Sequence, residues 1–144
     1  MKLALLLTFS ITLVACTTRF SDVSEHRYFK GIIGQQVALL RPMKLCERRD
    51  NRNYRAMRTI GLIEVSEHCD LKELALLPAG EIVSISGVKE MWVPTLGPSW
   101  YALGSVQLPE VSYEFEYLYG VFDIRRAPWE DKSVPPKRTW PNET

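Results

Sequence analysis

Runs of alternating apolar and polar side chains, separated by turn residues, recur along this 144-residue chain. In residues 81–88, Val83 and Ile85 fall on one face of an extended backbone, and Ser84 and Ser86 fall on the other. This two-residue period predicts a β-strand, because successive side chains of a strand point to opposite faces of the sheet. The same reasoning predicts strands at residues 36–41, 59–66, 100–108 and 113–122.

One segment indicates a helix instead of a strand. Residues 70–77 (DLKELALL) begin with Asp70, a residue type that caps helices, and space Leu71, Leu74 and Ala75 along one helical face. Pro78 follows directly and would end the helix. We therefore expect at most one short helix within a chain of strands.

The middle of the chain suggests a fold class. Residues 77–85 read LPAGEIVSI, and Trp92, Tyr101 and Gly104 follow. This stretch resembles the middle of an SH3-like barrel, in which a leucine-proline-x-glycine turn precedes a strand of alternating apolar residues. The resemblance implies a fold and no particular ligand. Together with the strand spacing it predicts a mainly β fold, a small SH3-like barrel or sandwich with at most one short helix.

The N-terminus has the composition of an export signal. An apolar stretch from Leu3 to Ala15 follows Lys2, and residues 13–16 read LVAC. As a helix the stretch would reach only about 20 Å, which is short of the roughly 30 Å hydrocarbon core of a bilayer. A secretory leader that is later cleaved therefore fits better than a permanent membrane span.

The LVAC segment resembles the lipobox of bacterial lipoproteins, in which a small residue precedes a cysteine. The resemblance implies that the leader is removed after Ala15, and that Cys16 carries acyl chains such as palmitate. Because Thr17 rather than Asp follows the cysteine, it also implies sorting to the outer membrane, facing the periplasm. The alternative is a plain signal peptide with a coincidental cysteine.

These features divide the chain into four expected segments. We expect a leader at residues 1–15, a lipidated tether at 16–27, a β-rich domain at 28–127 and a proline-rich tail at 128–144. Loss of the leader removes only Lys2 among the 18 basic residues, which leaves 17 basic against 17 acidic residues. A formally neutral exported chain offers no electrostatic case for nucleic acid as a partner.

The two cysteines outside the lipobox, Cys46 and Cys69, predict a disulfide. Disulfides persist in the oxidising compartments that receive exported proteins, and pairs of free thiols are unusual there. Chain-entropy reasoning assigns a bridge over this span a stabilisation of roughly 3 kcal/mol. The alternative is a pair of separate buried thiols.

Two segments concentrate residue types suited to partner binding. The first, the arginine-rich segment of residues 48–58, contains five arginines. The guanidinium group of arginine contacts phosphate or carboxylate through two parallel hydrogen bonds. The second surrounds a proline-glycine loop with aromatic rings, in residues 92–101 (WVPTLGPSWY). The alternatives are a solvated loop for the first and rings that close the end of the barrel for the second. The candidate residues are Arg48, Arg49, Arg52, Arg55, Trp92, Trp100 and Tyr101.

Residues suited to catalysis or metal binding are few. The only histidines are His26 and His68, and no G-x-S-x-G, H-E-x-x-H, C-x-x-C or phosphate-loop motif occurs. Residues 67–70 (EHCD) are all potential metal ligands, but neighbours in an extended chain point to opposite faces, so at most two could bind one ion. We therefore expect no catalytic residue, no metal and no cofactor.

These observations favour a lipid-anchored protein of the bacterial envelope that acts as a non-catalytic binding or scaffold module. Its expected partners are the membrane, through the lipid, and an envelope protein or an anionic envelope polymer. One alternative is a protein inhibitor, such as a lysozyme inhibitor or a toxin-immunity lipoprotein. A less favoured alternative is a hydrolase that carries no recognisable motif.

Overall fold

The structure, a computed structural model, describes residues 17–49 and 57–133. Within these ranges the chain forms no helix, so none is long and apolar enough to cross a membrane. The predicted mainly β fold is confirmed. The strands are β1 (Arg19–Asp22), β2 (Gln36–Ala38), β3 (Met43–Glu47), β4 (Ile60–Glu64), β5 (Lys72–Leu77), β6 (Ile82–Val93), β7 (Gly97–Gln107) and β8 (Ser112–Val121).

The eight strands form one sheet in the order β1-β6-β7-β8-β4-β3-β5, and β2 also pairs with β6. Neighbours are antiparallel except β4 and β8, which run parallel and pair only at Gly61 and Glu116. Both β1 and β2 lie along the same edge of β6, where Phe20 faces Met91 and Val37 faces Val83. Through the described strands the sheet stays open, because no pairing joins β5 to β1 or β2.

A single apolar core joins the two halves of this sheet. Leu45 and Leu62 come from the β3–β4 half, and Trp100 and Phe115 come from the β7–β8 half, yet all belong to one buried cluster. The sheet must therefore curl around a shared interior, which is how a small β domain buries enough apolar surface.

The helix predicted for residues 70–77 is wrong, because this segment forms β5 at the edge of the sheet beside β3. The backbone N–H of Leu71 donates to the carbonyl of Glu47 at 3.3 Å, which aligns the chain with β3. Leu76 is exposed and Leu77 is buried, as in a strand. A helix this short has little stability of its own, so pairing with a neighbouring strand prevails.

The predicted disulfide is confirmed. Cys46 lies in β3 and Cys69 lies in the turn before β5, and their Cα atoms are 5.4 Å apart. The bridge joins the two ends of the segment that contains β4. It therefore holds the edge strand β5 against β3, to which it is paired.

The folded part extends past both ends of the expected domain, 28–127. Arg19–Asp22, expected within the tether, forms β1 because an edge of β6 is available for pairing. Beyond Ala127, the Trp129 ring packs on Tyr117 with centroids 5.3 Å apart, and the carbonyl of Pro128 accepts the Leu40 N–H at 2.8 Å. The leader, Cys16 and residues 134–144 lie outside the described residues.

Candidate functional site

A cleft opens where β4 and β8 diverge beyond their one paired position. It is lined on one side by Leu62, Ile63 and Glu64 of β4 and on the other by Tyr117 and neighbouring residues of β8, and its volume is about 300 Å³. That volume suits a small polar group or the end of a partner's side chain. Four of its lining residues are arginines, namely Arg41, Arg48, Arg125 and Arg126.

Arg41, in the link between β2 and β3, closes one side of the cleft. Its Nε and Nη2 atoms donate to Oε1 of Glu64 at 3.0 and 2.7 Å. The hydrogen bond to Glu64 raises the pKa of Arg41, so the guanidinium carries its charge at every relevant pH. This ion pair fixes the position of Arg41 and compensates much of its positive charge.

Arg48 enters the cleft from the end of β3 and reaches a fully buried carboxylate. Its Nη1 atom lies 3.3 Å from Oε2 of Glu116, which has no solvent exposure. The Oε1 atom of Glu116 accepts the backbone N–H of Arg58 at 2.9 Å and a contact from Nζ of Lys89. A buried carboxylate is tolerated only with such partners, since its desolvation costs several kcal/mol in proteins.

Gly61 makes the approach of Arg48 to Glu116 possible. A Cβ atom at Gly61 would overlap the guanidinium of Arg48. Gly61 is also the residue of β4 that pairs with Glu116 on β8. The one backbone pairing between the two strands therefore lies at the Arg48–Glu116 ion pair.

Arg58 anchors the other end of the arginine-rich segment. Its Nη1 atom donates to the carbonyls of Gly104 and Phe115 at 2.7 and 3.1 Å. Arg48 and Arg58 thus attach both ends of the segment to the sheet. Among the candidates between them, Arg49 is exposed, and Arg52 and Arg55 lie outside the described residues.

Tyr117 and two consecutive arginines complete the cleft. Burial raises the pKa of Tyr117 to about 12, although the nearby charge of Arg41 acts in the opposite direction. The phenol therefore stays neutral at physiological pH and can donate a hydrogen bond. Arg125 is exposed at the cleft, where its backbone N–H donates to the carbonyl of Tyr119 at 2.8 Å.

The cleft carries a surplus of positive charge. Its four arginines stand against two carboxylates, Glu64 and Glu67, which leaves a formal excess of two positive charges among the lining residues. An arrangement of this kind can bind a phosphate or carboxylate group through charge-assisted hydrogen bonds. In the described part of the chain, no group of three or more His, Cys, Asp or Glu residues could hold a metal ion.

The aromatic candidates divide into buried and accessible rings. Trp100 has no solvent exposure, and its indole N–H donates to Oε2 of Glu90 at 3.0 Å. Tyr101 is 7% exposed, whereas Trp92 is 38% exposed. Of these three candidates only Trp92 can offer a ring to a partner, and Trp100 belongs to the core.

Sequence reasoning identified Arg48 but missed Arg41, Arg125 and Arg126. These residues come from segments more than 80 positions apart, so only the fold brings them to one cleft. The available signal was the Arg125–Arg126 pair, two adjacent cations a few residues after the last strand. Comparison with protein-family models, with curated proteins and with solved structures finds no match for this chain.

Proposed function

We propose that this chain is a lipid-anchored protein of the bacterial envelope that binds an anionic partner in the cleft between β4 and β8, without catalysis. The observation that carries the proposal is the surplus of guanidinium groups around one small cleft. Arg49, the next residue after Arg48, is exposed but does not line the cleft. The proposed anchor is Cys16, on the strength of its lipobox-like context.

The arginines of the cleft have separable roles. Arg41 and Arg48 are held by Glu64 and Glu116, so they shape the cleft and contribute to its field. Arg125 is exposed, and we expect it to make direct contact with the anion together with its neighbour Arg126. Long-range attraction should then speed association, and it should weaken as salt is added.

Titration with two anionic probes tests the binding. The processed protein would be titrated with tripolyphosphate and, separately, with an oligoglutamate peptide, to distinguish phosphate from carboxylate as the preferred group. Substituting Arg125 and Arg126 by Ser should weaken binding by about tenfold or more, since each charge-assisted bond contributes about 1.5 kcal/mol or more. The slope of affinity against salt should also decrease.

A matched control removes two cations from another part of the surface. Arg27 and Lys30 lie in the exposed turn between β1 and β2, and they do not line the cleft. Substituting both by Ser should leave probe binding within about twofold of the original, because distant exposed charges are screened. Equal losses in the two double variants would refute the cleft as the binding site.

The anchoring is tested independently of the cleft. Wild-type protein should be recovered in the membrane fraction with the added mass of acyl chains, whereas the Cys16→Ser variant should carry none. Soluble, unmodified wild-type protein would refute this part of the proposal and leave the binding result intact. Capture of one soluble enzyme from envelope extract would instead favour the inhibitor alternative.

A further inference from the structure

One end of the sheet exposes an apolar surface that lies next to the cleft and shares Val121 with it. It consists of Leu96 in the β6–β7 turn and Val121 and Phe122 at the end of β8, here called the apolar tip. Leu96 and Phe122 are 57% and 59% exposed, and Val121 is also exposed. Together with the side chains behind them they border a shallow depression of about 460 Å³.

An unusual backbone conformation positions the aromatic ring of the apolar tip. Phe122 has a φ of 63°, a left-handed conformation that bulky residues rarely adopt. Its ring lies against Gly97, where a Cβ atom would clash with it. The backbone thus accepts an unfavourable conformation that presents an aromatic ring to the surface, and such outliers often mark functional positions.

The segment of chain that leads through the β6–β7 turn of the tip carries no charge. Residues 91–99 (MWVPTLGPS) contain no ionisable group. Across the sheet, Phe20, Met91, Ser99 and Val121 occupy one row of paired positions, so an uncharged row extends over four strands. The next row toward the centre contains Glu90, and Lys89, which contacts Glu116, lies one row further.

The N-terminal end of the described chain lies at this same end of the sheet. Arg19 of β1 pairs with Trp92 of β6, and the pairing is antiparallel. The residues before Arg19 therefore lead toward the β6–β7 turn and Leu96. Cys16 precedes Arg19 by three residues, which limits its distance from the Arg19 Cα atom to about 11 Å.

We infer that the apolar tip is seated in the lipid bilayer to which Cys16 attaches the protein. This inference rests on the proposed lipid anchor and adds an orientation to it. The three-residue link between Cys16 and Arg19 cannot hold the domain far from the membrane surface. The exposed side chains nearest the anchor therefore reach the membrane first. Exposed Trp92 and Arg19 lie beside the tip, and both residue types suit the membrane interface.

This orientation also determines where the cleft lies relative to the membrane. Gly120 and Val121 line the cleft as well as leading into the tip, so the cleft opens close to the membrane surface. Arg125 follows Phe122 by three residues. In this orientation the phosphates of lipid head groups are the anions nearest to the cleft arginines. The turn that joins β7 to β8, which contains Val111, is then directed away from the membrane.

Depth-dependent fluorescence quenching tests the orientation in the acylated protein. The protein would be reconstituted into vesicles of phosphatidylethanolamine and phosphatidylglycerol with a doxyl-labelled phosphatidylcholine as quencher. The Leu96→Trp variant places a reporter in the tip, and Val111→Trp is the matched control, since both positions are exposed. Quenching of each reporter is taken relative to the unsubstituted protein.

The reporter at position 96 should be quenched several-fold more strongly than the reporter at 111. Equal quenching in acylated, vesicle-bound protein would overturn the seated tip and leave the anchor intact. A reporter at 96 that is shielded from acrylamide but not quenched by the labelled lipid would show that a second copy or another protein segment covers the tip, which also overturns the inference. Protein recovered without acyl chains would refute the anchor, and the orientation with it.

A second reporter in the tip shows whether the result depends on the substitution at position 96. Val121→Trp replaces another exposed residue of the tip, and it should reproduce the quenching seen at position 96. A variant is accepted only if its far-ultraviolet circular dichroism matches that of the unsubstituted protein. Disagreement between the two tip reporters in folded protein would count against a seated tip.

Discussion

Removing Lys89 tests whether Glu116 is a buried charge that depends on its partners. The carboxylate of Glu116 has no solvent exposure, and Nζ of Lys89 contacts its Oε1 atom. Lys89→Met keeps the length and the apolar character of the side chain but removes the positive charge. Two partners then remain, namely the Arg48 guanidinium at 3.3 Å and the Arg58 backbone N–H at 2.9 Å.

The expected loss in the free energy of unfolding depends on the partners that Glu116 keeps. Breaking a buried pair by removing one partner costs about 3 to 5 kcal/mol, because an uncompensated charge stays behind. The two remaining partners place the expected loss near the lower limit, at about 3 kcal/mol. With a urea m-value of about 1.5 kcal/mol per molar, the unfolding midpoint should fall by about 2 M.

Urea unfolding of the disulfide-bonded protein at neutral pH measures this loss. Lys72→Met is the matched control, because Lys72 also lies in a strand but is exposed, and its change should stay within about 0.5 kcal/mol. Adding Glu116→Gln to Lys89→Met should restore about 1 to 2 kcal/mol, since the amide keeps an acceptor for the Arg58 N–H without a charge. A loss below about 1 kcal/mol for Lys89→Met, or a double variant less stable than the single one, would refute the reasoning.

Three further outcomes are expected. Trp100→Ala should lower the free energy of unfolding by about 3 to 5 kcal/mol, because it empties a fully buried site; a loss below about 1 kcal/mol in urea unfolding would place the ring outside the core. Replacing Cys46 and Cys69 together by Ala should cost about 3 kcal/mol in the same assay, and an unchanged midpoint would contradict a stabilising bridge. Burial raises the pKa of Tyr117 to about 12, against about 10 in an unfolded chain. The unfolded state therefore loses this proton first, so the free energy of unfolding should fall as pH rises between these two values. Tyr117→Phe should flatten that fall, and an unchanged pH profile would argue against the shift.

The strands and the disulfide could be predicted from sequence because each depends on local or countable features. Alternation at residues 81–88 and 113–122 is a property of the neighbouring residues alone, and these segments lie within or nearly coincide with β6 and β8. The pairing of Cys46 with Cys69 was predicted by counting cysteines in a chain that we expect to be exported. Residues 70–77 show the limit, because their leucine spacing fits a helix while the free edge of β3 makes them a strand.

The roles of the polar residues were decided by the tertiary structure. By sequence Arg48 was a candidate for partner binding, and Glu116 was one of two acidic residues in the strand predicted at residues 113–122. In the fold Arg48 reaches Glu116 across 68 positions of chain, and Lys89 reaches it from a third strand. Trp92 and Trp100 look alike in sequence, yet one is exposed and the other is buried. Burial and charge compensation depend on residues far apart in the chain, whereas side-chain period depends on neighbours, so the sequence alone determined the strands and only the fold determined the cleft.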